Sequence, residues 1–118
     1  MQTLANHPLD IKTVTTINEF LKLVEAVFSV RSAILFGSRA RGEFKPESDA
    51  DVAVLLTGNH GKFMAAKLAM SDMAFDVMLN TGIRVEAIPV WEDEWANPDD
   101  YRNPFLLRNI ERDGIIIR

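Results

Sequence analysis

The stretch that decides the fold is GSRARGEFKPESDADVAVLL, residues 37–56. It begins with a Gly-Ser turn that carries two arginines, and it ends in an apolar run whose first residues include Asp49 and Asp51. An unpaired carboxylate at the mouth of a buried strand costs on the order of several kcal/mol or shifts its pKa. The chain therefore needs a chemical reason to place two carboxylates there.

The composition predicts a single globular domain over residues 1–118, because 47% of the residues are hydrophobic and 25% are charged. No apolar run reaches the roughly 20 residues that a membrane span needs, and the N-terminus lacks the pattern of a signal peptide. We therefore expect a cytoplasmic protein without membrane contact. The net charge of −4 disfavours direct nucleic-acid binding, which requires a basic face.

The absence of cysteine excludes several kinds of site, namely disulfides, thiolate metal sites and cysteine nucleophiles. The ligands of any metal are therefore oxygen atoms or the imidazoles of His7 and His60. His60 lies in an Asn-His-Gly loop and is expected to be solvated.

The spacing of apolar residues predicts alternating helices and strands. The order indicates an α/β (α+β) fold in which helices cover a small mixed sheet, with a core over about 31–90 and a C-terminal helical segment over about 91–118. The predicted elements are a helix over about 11–29, strands at 33–36 and 51–56, a helix over 63–81 that ends at Gly82, a strand at 83–90, a loop or broken helix over 91–104, and a short helix that Gly114 caps.

A divalent metal explains the two aspartates. Asp49 and Asp51 are two residues apart, so along a strand their side chains point the same way and repel each other. Magnesium takes few protein carboxylates and completes its octahedron with water and substrate phosphates. Two metals about 3.5–4 Å apart hold both the attacking and the leaving oxygen of a displacement at phosphorus. Glu86 is the only acid in the third strand and is the candidate for a third ligand.

The Gly-Ser turn offers a phosphate site beside these acids. Gly37 ends a strand and Ser38 is predicted to cap a short helix, which places backbone N–H groups and a hydroxyl where a phosphate can dock. Arg39 or Arg41 adds a fork-shaped contact to the same oxygens. Residue 43 is a glutamate instead of the lysine of a Walker A loop, and no G-x-G-x-x-G fingerprint occurs, so neither of those sites is predicted.

GSRARG, followed ten residues after Ser38 by SDADVAVLL, resembles the Gly-Ser…Asp-x-Asp signature of the polymerase-beta-like nucleotidyltransferase superfamily. The short chain and its ending, NPFLLRNIERDGIII, are similar to the minimal (MNT) nucleotidyltransferases, so the resemblance covers residues 30–118. Members transfer a nucleoside monophosphate from a triphosphate. The resemblance implies that Gly37 and Ser38 bind the triphosphate of ATP and that Asp49 and Asp51 bind two magnesium ions. Glu86 departs from the family's usual third aspartate.

The resemblance also implies a partner. Many minimal members are antitoxins encoded beside a HEPN toxin, an all-helical RNase, which they inactivate by adding AMP to a tyrosine. The partner is then a separate chain, because nothing in this sequence resembles a HEPN domain, and homo- or hetero-oligomers are both possible forms. Two alternatives stay open, which are a catalytically weak or inactive nucleotide-binding antitoxin that acts by occlusion and a nucleotidyltransferase that modifies a small molecule.

Several of these residues also have plainer interpretations. An acid such as Glu86, next to Arg84, is common on strands near a sheet edge. The methionines of the helix over 63–81 fill a core or form an adaptable binding surface. Trp91 and Trp95 either cover the core or form a patch for a partner, and the sequence does not decide between the two.

Overall fold

Residues 1–4 and 9–118, the part of the chain that the computed structural model describes, form five strands and five helices. His7, a possible metal ligand in the sequence analysis, lies outside the described residues. The strands are β1 (Gln2–Thr3), β2 (Val30–Phe36), β3 (Ala50–Leu56), β4 (Val85–Trp91) and β5 (Ile115–Ile116). The helices are α1 (Ile11–Glu25), α2 (Ser38–Arg41), α3 (Phe63–Thr81), α4 (Glu92–Ala96) and α5 (Pro104–Asp113), with a 3-10 turn over Pro98–Asp100.

The strands form one mixed sheet in the order β1-β5-β2-β3-β4. β2 is antiparallel to both β3 and β5, whereas β3 and β4 are parallel and β1 and β5 are parallel. Parallel neighbours need a crossover connection, which α3 supplies between β3 and β4. The predicted α/β class, with helices over a small mixed sheet, is therefore confirmed. β4 is an edge strand, a position that tolerates Pro89.

Helices cover both faces of the sheet because successive residues of each strand point to opposite faces. One face packs against α1 and α3, and the other packs against α5 and the segment before it. The first core includes Ile17, Phe20, Leu21, Val24, Leu35, Val52, Val54, Met70 and Val77, and the second includes Ile34, Ala53, Leu55, Val90, Tyr101, Leu107 and Ile110. No helix in the described part of the chain is long and apolar enough to cross a bilayer.

The predicted boundary between the first helix and the first strand was wrong by several residues. α1 ends at Glu25 instead of about 29, because the backbone N–H groups of Val27 and Phe28 both turn back to the carbonyl of Val24 at 3.0 and 2.8 Å. The chain then enters β2 at Val30, three residues before the predicted start of the strand.

The sequence predicts a C-terminal helical segment over about 91–118, but this segment is not helical throughout. Ile115 and Ile116 form β5, which pairs with β2 on one side and β1 on the other. Two-residue strands are too short to show a periodicity of their own, so β1 and β5 were both missed. The segment over 91–104, predicted as a loop or broken helix, contains α4 and the 3-10 turn. α4 ends just before Asn97, and the 3-10 turn begins just after it.

Candidate active site

The ends of β2 and β3 place a glycine turn against a carboxylate. Phe36, the last residue of β2, pairs with Asp51 of β3, so the turn at Gly37 follows directly beside this aspartate. Gly37 has φ 76° and ψ −158°, a combination that is open essentially to glycine alone. A β-carbon on Gly37 would also overlap Oδ2 of Asp51. The backbone and the neighbouring side chain therefore both require glycine at this position.

The helix after this turn is a single turn, α2, and its capping differs from the sequence prediction. Gly37, and not Ser38, is the N-cap; Ser38 is the first helical residue, and no side chain caps the helix because glycine has none. The N–H groups of Ala40 and Arg41 both donate to the carbonyl of Gly37, at 3.1 and 3.2 Å. Gly42, in the left-handed region, ends the turn. The N-terminal end of α2 thus lies beside Asp51.

The structure gathers the three predicted acids at one end of the sheet. Asp51 pairs with Glu86 across β3 and β4, and residues in register on neighbouring strands share a face. Asp49 lies one residue before β3. Arg84 bridges the outer two acids, with Nη1 3.3 Å from Oδ2 of Asp49 and Nη2 3.1 Å from Oε2 of Glu86.

The surroundings of Asp51 disfavour its charged form. Burial raises its pKa above the usual value of 3.8, and the negative charges of Asp49 and Glu86 raise it further. Arg41 and Lys67 oppose these effects and lower the pKa of Asp51. A half-buried carboxylate between two others is stabilised by a proton or by a nearby cation.

Lys67 of α3 is a member of this site that the sequence analysis missed. Its Nζ donates to Oε1 of Glu86 and to the carbonyl of Ala87, both at 2.5 Å, at the open edge of β4. Lys67 lies 19 residues before Glu86, and only the crossover through α3 brings the two together. The one signal in the sequence is that Lys67 is the only cation on a helix whose other charged residues are Asp72 and Asp76.

Arg39 holds the loop that carries Asp49. The Arg39 side chain is buried, its Nε donates to the carbonyl of Ser48 at 3.0 Å, and its Nη1 donates to Oγ1 of Thr13 at 2.9 Å. Nη2 donates to the carbonyl of Pro46 at 3.2 Å. Every nitrogen of the guanidinium is therefore engaged within the fold.

Arg41, in contrast, is exposed and lies next to a cavity. Its Nε is 3.1 Å from Oε2 of Glu43. The cavity, of about 200 Å³, lies between α2 and α5 and is lined by Gly37 and Arg41 on one side and by Asn109 and Arg112 on the other. Residues of α5 were not predicted as site residues, because nothing in the local sequence places this helix beside the Gly-Ser turn.

Residues 17–117 match the nucleotidyltransferase domain family. The chain belongs to this family. The match spans nearly all of the described fold, including the Gly37 turn and the three carboxylates, so the family predicted from the sequence is confirmed.

Two relatives of this nucleotidyltransferase come from Methanocaldococcus jannaschii and carry the provisional name of protein adenylyltransferase. One, MJ1379, is 29% identical over 111 residues, which cover 91% of this chain and 100% of the relative. The other, MJ0128, is 27% identical over 113 residues, with 91% of this chain and 100% of the relative covered. The likeness therefore extends over whole chains.

Solved structures share the fold of the nucleotidyltransferase at low sequence identity. One, provisionally described as a nucleotidyltransferase of Sulfolobus solfataricus, has a TM-score of 0.53 and 20% identity, covering 90% of this chain and 79% of the other. A second, described as a toxin-antitoxin with AMP-PNP, has a TM-score of 0.61 and 17% identity, covering 89% of this chain and 72% of the other. Both support the fold assignment.

Asp49 and Asp51 of the nucleotidyltransferase suit a magnesium ion by donor chemistry, although Arg84 pairs with Asp49 as well as with Glu86. The two aspartates offer oxygen ligands at one strand end, and the raised pKa of Asp51 indicates a site that favours an added cation. The carboxylate of Glu86 is held by Lys67 and Arg84. Within residues 1–4 and 9–118, no three acidic or histidine side chains are arranged around a common metal position.

The remaining residues that the sequence singled out lie away from the carboxylates of the nucleotidyltransferase. His60 is exposed, as expected, and its Nδ1 is 2.7 Å from Oδ2 of Asp93, a contact that raises the pKa of His60. Trp91 is buried in the core between the sheet and α3, and Trp95 is half-buried. Of the two open interpretations, covering the core therefore applies to Trp91.

Proposed function

We propose that this nucleotidyltransferase transfers AMP from ATP to a hydroxyl of a partner protein, a tyrosine of a HEPN-type toxin, and so acts as the antitoxin of the pair. The close approach of the Gly37 turn to Asp51 carries the proposal, because it joins a phosphate site to a carboxylate that favours a cation. The relatives named as protein adenylyltransferases support a protein acceptor. The toxin-antitoxin structure with AMP-PNP supports the nucleotide and the partner.

The proposal assigns Asp49 and Asp51 as the protein ligands of magnesium, with Glu86 as a third ligand once it leaves Lys67. Bound magnesium would neutralise charge at the α-phosphate and favour ionisation of the acceptor hydroxyl. Gly37 and Ser38 are assigned to the triphosphate, since the first N–H groups of a helix lack acceptors within the helix.

Of the two arginines in the Gly-Ser turn, Arg41 is assigned to the triphosphate and Arg39 to the architecture of the loop. Arg41 is exposed beside the turn and its charge reaches Asp51, whereas the nitrogens of Arg39 are engaged by Ser48, Thr13 and Pro46. Only Arg41 can therefore turn its guanidinium to a phosphate without breaking buried hydrogen bonds.

The proposed reaction is a displacement at the α-phosphorus of ATP. The acceptor oxygen forms a bond to the α-phosphorus while the bond from that phosphorus to the bridging oxygen breaks, and pyrophosphate leaves. The hydroxyl proton passes to one of the neighbouring carboxylates. The protein holds the triphosphate and the acceptor in line, which supplies much of the rate enhancement.

The test is to incubate the chain with ATP, magnesium and the folded product of the neighbouring gene, and to measure the partner's mass. We expect a gain of one or more AMP groups, which maps to tyrosine. The matched control is the Asp49→Asn, Asp51→Asn double variant, which keeps the size of both side chains and should add nothing. No mass gain on any folded adjacent partner rejects the proposal.

A second candidate is an antitoxin that binds its partner and acts by occlusion, without transfer. It is favoured by the ion pairs of Glu86 with Lys67 and Arg84 and of Asp49 with Arg84, which engage two of the three acids proposed to hold metal. The same double variant separates the candidates. If the variant still neutralises the partner, occlusion is sufficient; if protection is lost in a folded variant, transfer is required.

A further inference from the structure

Helix α3 is apolar on two opposite faces. One face is buried against the sheet and α1 through Ala66, Met70, Ala74 and Val77. On the other face Met64 and Leu68 are each 59% exposed and Phe75 is 56% exposed. A helix that is apolar all round is usually covered on all sides. Within the described chain, however, no element packs over this outer face of α3.

The outer face has the spacing of a helix that pairs with another helix. Met64, Leu68, Ser71, Phe75 and Met78 follow one another at intervals of four, three, four and three residues, which is the alternation of a heptad. We refer to these five residues as the seam. Ser71, at the centre of the seam, is small and exposed and allows two helices to approach closely. The exposed side chain of Leu79 extends the apolar surface at one border of the seam.

We propose that the seam binds the seam of a second copy of this chain, with the two α3 helices parallel about a two-fold axis. The charges beside the seam select a second copy and this direction. Lys67 immediately precedes the seam residue Leu68, and Asp72 lies five residues after Lys67. In a parallel helix pair these two heptad positions meet across the interface, so Lys67 faces Asp72 of the partner subunit, twice by symmetry.

The antiparallel arrangement is disfavoured by the same charges. Asp72 and Asp76 lie on one border of the seam, and Lys67 lies on the other. A two-fold axis perpendicular to the helices brings each border against its own copy, so the aspartates face aspartates and Lys67 faces no acid. The parallel pair instead brings opposite charges together.

Lys67 connects the proposed interface to the active site. An ammonium group has three donors, and two of those of Lys67 reach Glu86 and the carbonyl of Ala87, which leaves one for Asp72 of the partner subunit. Ser71, Phe75 and Met78 of the seam also line a cavity of about 220 Å³ whose far wall is Arg84 and Glu86. A second copy seated on the seam would cover this cavity.

The seam is two heptads long, about 22 Å, which is short for a permanent dimer. We therefore expect a monomer-dimer equilibrium with a dissociation constant on the order of micromolar. Sedimentation velocity over a range of concentrations measures this equilibrium directly. A chain that stays monomeric at its highest soluble concentration overturns the proposal.

The seam is tested by Phe75→Glu, which places a charge in the apolar contact of each copy. We expect the dissociation constant to rise by about 100-fold or more, with unchanged circular dichroism. The matched control is Val27→Glu, since Val27 is an apolar side chain, 65% exposed, that lies outside α3, just after the end of α1. Equal association of the two variants, or loss of association in both, overturns the assignment to the seam.

The direction of the helices is tested by oxidative cross-linking in a chain that has no natural cysteine. In the parallel pair, residue 64 faces its own copy, so Met64→Cys should form a disulfide-linked dimer. An antiparallel pair centred on Ser71 separates these residues by about 20 Å and forms none. Val27→Cys is the control for random collision. If the wild-type chain is monomeric and Phe75→Glu abolishes binding of the acceptor protein, the seam binds that protein. This result overturns the proposal of a second copy.

Discussion

A β-carbon on Gly37 would overlap Oδ2 of Asp51, so only the missing side chain of Gly37 leaves room for this carboxylate oxygen. This contact exists because β2 ends at Phe36, directly in register with Asp51 on β3. The turn proposed to hold phosphate and the carboxylate proposed to hold magnesium therefore touch. One strand register sets both halves of the proposed site.

We predict that Gly37→Ala abolishes ATP binding and destabilises the fold, whereas Gly42→Ala only destabilises it. Both glycines have positive φ, at 76° and 73°, so alanine at either one costs about 1–2 kcal/mol of unfolding free energy. Gly42 has no neighbouring atom within 4 Å of a β-carbon, and its backbone is in the milder left-handed helical region. Urea denaturation and titration calorimetry with magnesium and ATP measure the two effects.

Gly42→Ala is the control for the cost of positive φ alone, without a clash. We expect Gly37→Ala to lose at least about 1 kcal/mol more than Gly42→Ala, because Asp51 must move in addition. If the two variants lose the same stability and both bind ATP, the contact between Gly37 and Asp51 does not shape the site.

We predict that Asp51→Asn makes the protein more stable near neutral pH while it removes magnesium-dependent nucleotide binding. The pKa of Asp51 is raised in the folded state, so the protonated carboxyl contributes to stability. This contribution is complete below the unfolded pKa of 3.8 and is lost as the pH rises through the folded pKa. Asparagine avoids this loss. Because the group is half-exposed, the gain is a few tenths to about 1 kcal/mol.

Thermal unfolding from pH 4 to 8 checks this prediction, with Asp76→Asn as the control for an exposed acid outside the site. The gain of Asp51→Asn over the wild type should grow with pH and then level off. Magnesium and ATP together should raise the melting temperature of the wild type and of Asp76→Asn but not of Asp51→Asn. A stability gain that is the same at every pH would remove the electrostatic explanation.

We predict opposite outcomes for the two arginines of the Gly-Ser turn. Arg39→Ala leaves the buried partners of its guanidinium unsatisfied and should cost about 2–4 kcal/mol of unfolding free energy. Arg41→Ala removes an exposed ion pair with Glu43, which is worth about 0.5 kcal/mol or less. Arg41→Ala should instead weaken ATP binding by about tenfold, through loss of a charged phosphate contact.

Each arginine variant is the control for the other. Urea denaturation should separate them by stability, and calorimetry on the folded proteins should separate them by affinity. If Arg39→Ala is as stable as the wild type, the loop before β3 does not depend on the guanidinium. If Arg41→Ala binds ATP normally, the triphosphate does not contact this side chain.

The residues that the sequence placed correctly in space are those whose positions follow from local geometry. Gly37 follows one strand and Asp51 lies at the start of the next, so a single hairpin register brings them together. Asp49 lies two residues before Asp51 and needs no long-range information. The helices were predicted for the same reason, because an amphipathic stripe is a local pattern.

The residues that the sequence missed depend on packing between distant segments. Lys67 reaches Glu86 only through the crossover from β3 to β4, and Arg112 lies beside Gly37 only because α5 packs under the sheet. Arg39 and Arg41 look alike in sequence, yet one is buried by the loop that folds over it. A pattern of residue types does not contain this difference.

We predict that Tyr101 titrates near pH 12 in the folded protein and is not an acceptor of AMP. Burial raises the pKa of Tyr101 to about 12, and its hydroxyl donates to the carbonyl of Pro89 at 3.4 Å. It is the single tyrosine of the chain, so ultraviolet absorbance follows this one group. In denaturant the midpoint should fall to about 10. A midpoint near 10 in the folded protein contradicts the buried position.

The free energy of unfolding should also depend on the ionisation of Tyr101 at high pH. Because the folded pKa of Tyr101 is raised, the stability it contributes is complete below about pH 10 and is lost as the pH rises toward 12. Tyr101→Phe keeps the ring, should cost about 1 kcal/mol or less at neutral pH, and should lose less stability above pH 10 than the wild type. A buried hydroxyl cannot reach a bound nucleotide, so AMP in the transfer assay should appear on the partner alone. If the isolated wild-type chain gains the mass of AMP and Tyr101→Phe does not, this conclusion is wrong.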